Sequence, residues 1–143
     1  MKFSTRTRYG IRSMVEIAMN TSGNGVFQKQ IAENQEISVK YLDHIIHQLK
    51  TSGLITNVKG RKSGYILTRP ASKITMLDIH NAFEAGICVI DCLTPNIRCN
   101  RENRCAAKGF WGHVNNKIID YFNSVTLQDM VDEQSCLDDT VNR

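Results

Sequence analysis

The stretch from Phe27 to Leu67 constrains the fold more than any other, because its centre carries a helical period that a strand would not tolerate. Within Ser38-Val-Lys-Tyr-Leu-Asp-His-Ile-Ile-His-Gln-Leu-Lys50, the residues Leu42, Ile45, Ile46 and Leu49 stand at i, i+3, i+4 and i+7. That is one apolar stripe of an amphipathic helix. Ser38 suits the N-cap, where a hydroxyl takes up a free backbone N–H of the first turn. Lys40, Asp43, His44 and His47 hold the same spacing on the opposite face. Such a helix can rest on a core with one side and meet base edges or phosphates with the other.

The flanks complete a unit. Gln28-Lys-Gln-Ile-Ala-Glu33 predicts a short helix, and Asn34-Gln-Glu-Ile37 a turn of three to four residues leading into Ser38, which is helix-turn-helix spacing. Ser52-Gly53 ends the long helix. Leu54 to Val58 then alternates as a strand, Lys59-Gly-Arg-Lys-Ser-Gly64 turns, and Tyr65-Ile-Leu67 returns. The hairpin tip combines three cations with two glycines, the mixture a phosphate-facing loop needs, since glycine permits close approach and cations release counterions. The expected fold is therefore mainly α with a small β wing, a winged helix-turn-helix, followed by a long C-terminal dimerisation helix. The expected DNA contacts are Lys59, Arg61 and Lys62 on the wing, Ser38, Lys40, Tyr41, Asp43 and His44 on the recognition helix, Gln28 before it, and Lys2 and Arg8 in a basic N-terminal arm.

Charge agrees with that placement. The net charge of +4 conceals a split: 12 Lys and Arg against 4 acids through Lys73, then 6 against 10 from Ile74 onward. One basic end and one acidic end is the electrostatic footprint of a head that meets double-stranded DNA. No apolar run approaches the roughly 20 residues of a membrane span, and the N-terminus lacks a signal-peptide pattern, so no membrane is expected and the cytoplasm is the expected compartment. Thiols stay reduced there, and the five cysteines point to metal or redox chemistry before a disulfide framework.

At the N-terminus, the basic arm Lys2, Arg6, Arg8 and Arg12 accompanies Ile11, Met14, Val15 and Ala18 at helical spacing. Thr21 to Gly25 has linker composition. Pro70 ends the wing, and Thr75-Met-Leu-Asp78 opens a capping-box helix. That helix is expected to run to about Glu84 with Ile79 and Phe83 buried and His80 solvated or locally bonded. From Lys108 to Ser124, Trp111, Val114, Ile118, Tyr121 or Phe122, and Val125 form the stripe of the longest helix. Because the N-terminal half already supplies a core, that stripe is expected to pack on a second copy. The homodimer would then span half-sites about one DNA turn apart. Thr126-Leu-Gln-Asp129 repeats the cap pattern and begins a short last helix. The expected organisation is 1–73 as the DNA-binding head, 74–107 as linker helix and sensor loop, 108–132 as dimerisation and short terminal helices, and 133–143 as a flexible tail in which Cys136 is a bystander.

Between the C-terminal helices, Cys92, Cys99 and Cys105 share a polar, proline-containing loop with Arg98, Arg101 and Arg104. Core cysteines sit singly among apolar neighbours, whereas nearby positive charge favours the thiolate that reacts or binds metal. The gaps of six and five residues differ from the paired Cys-x-x-Cys of zinc ribbons. Soft thiolates on a loop suit an iron–sulfur cluster, [2Fe-2S] or [4Fe-4S]. A zinc site and a metal-free thiol switch are the alternatives. A thiol oxidoreductase would need a Cys-x-x-Cys at a strand-to-helix turn or a catalytic constellation, and none stands in the sequence.

Lys2-Phe-Ser-Thr-Arg-Thr-Arg-Tyr-Gly10, Gln30-Ile-Ala-Glu33, Ser38 with Tyr41-Leu42, Leu49 with Gly53-Leu54, and Lys59-Gly60 with Gly64-Tyr65 together resemble the Rrf family of winged-helix regulators, over the chain to about Val131. Its members include an iron–sulfur cluster regulator, a nitric oxide sensor and a repressor of cysteine metabolism. The resemblance implies a dimer on DNA, and cluster-binding members carry three cysteines in nearly this arrangement just before the dimer helix. The first gap here is one residue longer than in the [2Fe-2S] members. Those members place a histidine three residues after the last cysteine, where this chain has Lys108. The fourth ligand is then His113, Cys88, Asp91 or a carboxylate of the partner subunit, as in the nitric-oxide-sensing branch. A second departure is Glu36, where relatives commonly have glycine. A non-glycine residue costs about 1 kcal/mol there if φ is positive, so either Asn34 or Gln35 is expected to take the strained position or the turn to differ.

Overall fold

Among the described residues, four of six α-helices begin at a hydroxyl that takes up a free backbone donor of the first turn. In the computed structural model, which describes residues 1–59 and 63–143, helix α1 (Thr5–Met19) starts at Ser4, whose Oγ accepts from Thr7 N–H at 3.1 Å. Helix α2 (Gln28–Gln35) is capped in reverse, with Phe27 N–H donating to Gln30 Oε1 at 3.0 Å. Helix α3 (Val39–Thr51) starts at the expected Ser38, whose Oγ accepts from Tyr41 N–H at 3.2 Å. The α3 stripe Leu42, Ile45, Ile46 and Leu49 is buried against Met14 and Ile17 of α1 and Ile31 and Ala32 of α2.

The wing pairs β1 (Ile55–Asn57) with β2 (Tyr65–Leu67), antiparallel, with Ile55 opposite Leu67 and Asn57 opposite Tyr65. Val26 adds a third rung: its N–H donates to Tyr65 O at 3.0 Å, and Tyr65 N–H returns to Val26 O at 2.8 Å. Val26 directly follows the expected linker Thr21 to Gly25, whose Asn24 O also accepts from Gly64 N–H at 2.8 Å. The rung needs two backbones in contact, and a Cβ on Gly64 would lie 2.6 Å from the Gly25 carbonyl carbon. No larger residue fits there. Arg61 and Lys62 lie outside the described residues.

Helix α4 (Met76–Asn81) is shorter than expected: after Asn81 the N–H groups of Phe83 and Glu84 both turn back to His80 O at 3.0 Å. Ile79 and Phe83 are buried, as the sequence predicts. His80 is buried too, which corrects the solvated alternative and keeps the locally bonded one. Its Nε2 meets Gly86 O at 3.1 Å, and its ring lies edge-on to Phe3 and Phe122.

Helix α5 (Ala106–Ser124) is the longest, and α6 (Leu127–Val141) follows it directly. Residues 133–143 were expected as a flexible tail, but α6 runs to Val141, aided by side-chain bonds one turn apart such as Gln134 Nε2 to Asp138 Oδ1 at 2.9 Å. The starts of α4 and α6 face one another. Met76 N–H donates to Val125 O at 2.9 Å, and Leu127 N–H donates to Ile74 O at 2.7 Å. Ile74 and Leu127 are fully buried at this joint, so the core continues past the boundary expected at Lys73. Among the described residues no helix is long and apolar enough to cross a membrane.

The turn between α2 and α3 holds the strain. Glu36 itself sits at φ 53°, ψ 44°, and neither Asn34 nor Gln35 takes the left-handed position. Glu36→Gly should therefore stabilise the protein by about 1 kcal/mol in urea unfolding, and an unchanged midpoint would mean that the residue carries no such strain. Gly64→Ala should destabilise it, because the added Cβ meets backbone.

A pH effect follows from the second cap. The Thr126 N–H donates to Asp129 Oδ2 at 2.8 Å and the Thr126 hydroxyl donates to it at 2.9 Å, and these bonds, the backbone one foremost, hold the Asp129 carboxyl below its ordinary range. A depressed folded value adds stability above the unfolded value, about 3.9, and that stability is lost as pH falls through the folded value. Urea midpoints measured down to pH 3 should fall less steeply for Asp129→Asn than for the parent.

Candidate nucleic-acid interface and cysteine loop

Burying one face of α3 leaves the other to solvent, and Lys40, Asp43, His44 and His47 are all exposed there. Ser38 is exposed at the start of the helix, and Lys59 is exposed where the wing leaves β1. Tyr41 differs from these. It is half-buried, with its ring edge-on to Tyr9 of α1 at 5.7 Å between centroids. Part of its side chain is therefore packing that sets the height of α3 on α1.

Gln28 and Asp43 are brought together rather than presented separately. Gln28 Nε2 donates to Asp43 Oδ1 and to Val39 O at 3.4 Å, while Gln28 Oε1 accepts from the Tyr65 hydroxyl at 3.3 Å. Burial, and after it the Asp43 carboxylate, push the Tyr65 phenol above its ordinary value, so it remains a neutral donor. At the far end of α3, Lys50 Nζ donates to Asn57 Oδ1 at 2.7 Å and stands 5.8 Å from the Tyr65 ring centroid. Both ends of the recognition helix are thus tied to the wing. Tyr65, Lys50 and Asn57 escaped the sequence reading, because their partners are set by hairpin register and not by local spacing.

Lys2 and Arg8 are exposed and line a cavity of about 500 Å³ with Ser4, His80, Glu84 and Cys88. Arg8 also donates from Nη2 to Thr5 Oγ1 at 3.0 Å. The neighbours of these two cations in the structure include the segment after α4, so the N-terminal arm also touches the segment that leads into the cysteine loop.

The cysteine loop runs from the end of α4 to α5 and contains two short 3-10 segments, Asp91–Leu93 and Glu102–Arg104. All five cysteines are free; Cys92 and Cys105 are half-buried, and Cys88 and Cys99 are exposed. The donor set is soft and carries no disulfide, which fits a thiolate-held metal or cluster in kind. The positions are not drawn together: among the described residues no three His, Cys, Asp or Glu side chains stand close enough to hold a metal ion. The fourth-ligand candidates are equally dispersed. The Cys88 thiol donates to Ile90 O at 3.1 Å, and Asp91 and His113 are exposed. Lys108, in the position where a histidine was sought, pairs with Glu102.

What does anchor the loop is an amide. Asn115, buried on α5, accepts from Val89 N–H at 2.8 Å through Oδ1 and donates to Ile87 O at 3.1 Å through Nδ2. This residue also went unread in the sequence, where an asparagine inside an apolar helix gives no sign of its partners. The other face of α5 is left open: Phe110, Trp111 and Tyr121 are exposed, and Val114, Ile118 and Phe122 line a shallow apolar cavity of about 450 Å³ with Met1 and Phe3.

Comparison with known proteins gives one answer across the chain. A family model described as Rrf2, iron-dependent transcriptional regulator, matches residues 3–133. The protein rrf2 of Nitratidesulfovibrio vulgaris is 36% identical over 135 residues, covering 94% of this chain and 90% of that one. The global cysteine regulator CymR of B. subtilis superposes with a TM-score of 0.76 at 26% identity, covering 93% of this chain and 98% of that one. T. potens IscR superposes with a TM-score of 0.74 at 30% identity, covering 94% and 88%.

Replacing Asn115 by leucine would strand one buried N–H and one buried C=O, a loss of about 1 to 3 kcal/mol. The expected result is faster amide exchange from Ile87 to Cys92 with little change in α3, read by hydrogen exchange. Uniform acceleration through the head would show that the anchor is not local.

Proposed function

The chain belongs to the Rrf2 family, and from that premise we propose that it is a homodimeric regulator whose affinity for an operator is set by an iron–sulfur cluster at Cys92, Cys99 and Cys105. It is a winged-helix, DNA-binding transcription regulator and not an enzyme. The observation that carries the reading is the pairing of α3, polar and exposed at Lys40, Asp43 and His44, with a free-thiol loop anchored to a helix that leaves Phe110, Trp111 and Tyr121 exposed.

The DNA side follows from charge and shape. Lys40, Asp43 and His44 supply both donors and acceptors for base edges in a major groove, and Lys59 with the wing neutralises phosphate. Gln28 holds Asp43 in the free protein, so it positions that carboxylate before any contact is made. Exposed Trp111, Phe110 and Tyr121 on α5 support burial against the same face of a second copy, which sets two α3 helices on one side of the duplex.

On the sensor side, Cys92, Cys99 and Cys105 would hold the cluster, with the fourth position taken by His113, Cys88, Asp91 or a carboxylate of the partner subunit. A bound cluster supplies oxidation and ligand chemistry that thiols alone lack. The chain's own residues supply the coupling. Asn115 fastens the start of the loop to α5, and the α4–α6 joint fastens the helical handle to the head. A metal-free thiol switch is the second reading, favoured by the dispersed thiols and by the Glu102–Lys108 pair that already closes the end of the loop.

Anaerobically purified protein should be coloured and contain iron and acid-labile sulfide in stoichiometric amount; colourless protein containing zinc, or no metal, would reject the cluster. Ala at Cys92, Cys99 or Cys105 should abolish the response of DNA binding to oxidant, whereas Cys136→Ala should not. Specific binding should weaken steeply with salt, and Lys59→Ala should lower the slope of log affinity against log salt by about one.

A further inference from the structure

We propose that Arg12 and Glu16 are a positioning pair that sets the angle of the recognition helix by clamping the turn between α2 and α3. The two stand one helical turn apart on α1, with opposite charges. Arg12 Nε–H donates to Gln35 Oε1 at 3.0 Å, and its Nη2 donates to the Gln35 carbonyl. Glu16 accepts from Asn34 Nδ2 at 2.6 Å through one oxygen and from Gln35 Nε2 at 2.8 Å through the other. Gln35 is therefore held at its amide and at its backbone carbonyl, in the position immediately before the left-handed Glu36.

That placement gives the clamp a purpose beyond packing. A glycine at position 36 would adopt the turn freely, whereas a glutamate there favours leaving it. Holding Gln35 from α1 keeps the strained residue in place, and with it the direction in which the chain enters Ser38 and α3. The same face of α1 reaches α3 directly. Arg12 lies 5.2 Å over the Tyr9 ring, and Tyr9 meets Tyr41 edge-on. The turn is thus gripped on its α2 side by Arg12 and Glu16 and on its α3 side by Tyr9. Arg12, one of four cations in the basic arm, is accounted for by these contacts and is assigned no phosphate.

The inference rests on α3 as the DNA-reading element, and two measurements on the full-length protein separate its failure from failure of that reading. The first uses no DNA. In urea unfolding, Arg12→Ala and Glu16→Ala should each cost less in the parent than in a Glu36→Gly background, since the unclamped parent turn recovers part of the loss by leaving its strained conformation, whereas a glycine turn stays in place and loses the bonds outright. Additive effects would overturn the proposal. The second uses a duplex selected by the parent protein from a random pool. Arg12→Ala and Glu16→Ala should both weaken its binding, by about tenfold, equivalent to about 1.4 kcal/mol, with unchanged salt slope, and Glu36→Gly should restore most of the loss. Charge alone predicts opposite signs, because removing Glu16 would favour a polyanion. Tighter binding by Glu16→Ala, or a salt slope lowered by about one in Arg12→Ala, would instead mark these residues as electrostatic. Should the parent select no duplex, the DNA-reading role fails and the unfolding cycle alone decides the clamp.

Discussion

Everything past the wing depends on one reciprocal contact, the pair of hydrogen bonds between the segments that open α4 and α6. Ile74-Thr75 and Val125-Thr126 lie antiparallel, and each carbonyl takes the N–H that the other segment's first helical turn leaves over. Each threonine also caps its own helix with an aspartate three residues on. Six otherwise orphaned donors are thus satisfied within a few residues. Ile74 and Leu127 close the joint from the apolar side, both fully buried. The joint ties the C-terminal helices to the head through backbone, beside the packing of α6 on α1 and of α5 on α4.

Much of this was legible in the residues taken singly. The stripe of α3, the Ser38 cap, the hairpin and both Thr-x-x-Asp caps depend on spacing within one turn or one strand, and they stand in the structure as read. What was not legible are contacts between segments distant in sequence. That the two caps face each other, that Val26 joins the wing, that Gln28 holds Asp43 and that Asn115 anchors the loop all require the chain to be folded first. The end of α6 misled for a different reason. Its last turns are polar and exposed, so their helicity rests on side-chain bonds one turn apart and not on a buried stripe.

Glu36 shows how a local rule can be broken and held. Its left-handed backbone is disfavoured by itself, yet it lies between a residue gripped from α1 and the buried Ile37. Strain of this size survives only where the surroundings over-determine it. The sequence showed a glutamate in an awkward place; the compensation sits about twenty residues upstream, on α1.

The head and the loop differ in how firmly they are held, and that difference is what the proposed sensing requires. Residues of α1, α2 and α3 share a core in which Met14, Ile31, Leu42, Ile45 and Leu49 are wholly enclosed. Residues 91 to 105 have no buried member; the two Asn115 bonds hold the chain just before them, at Ile87 and Val89, and the α5 N-terminus follows them. A buried hydrogen bond is worth about 1 kcal/mol net, and a tenfold change in operator affinity needs only about 1.4 kcal/mol. Rearranging one or two such ties is therefore sufficient to move occupancy, while unfolding the head would require far more. On the proposed reading, chemistry at the thiols acts on the loop and on α5 without loosening α3, so the head stays intact while its placement changes.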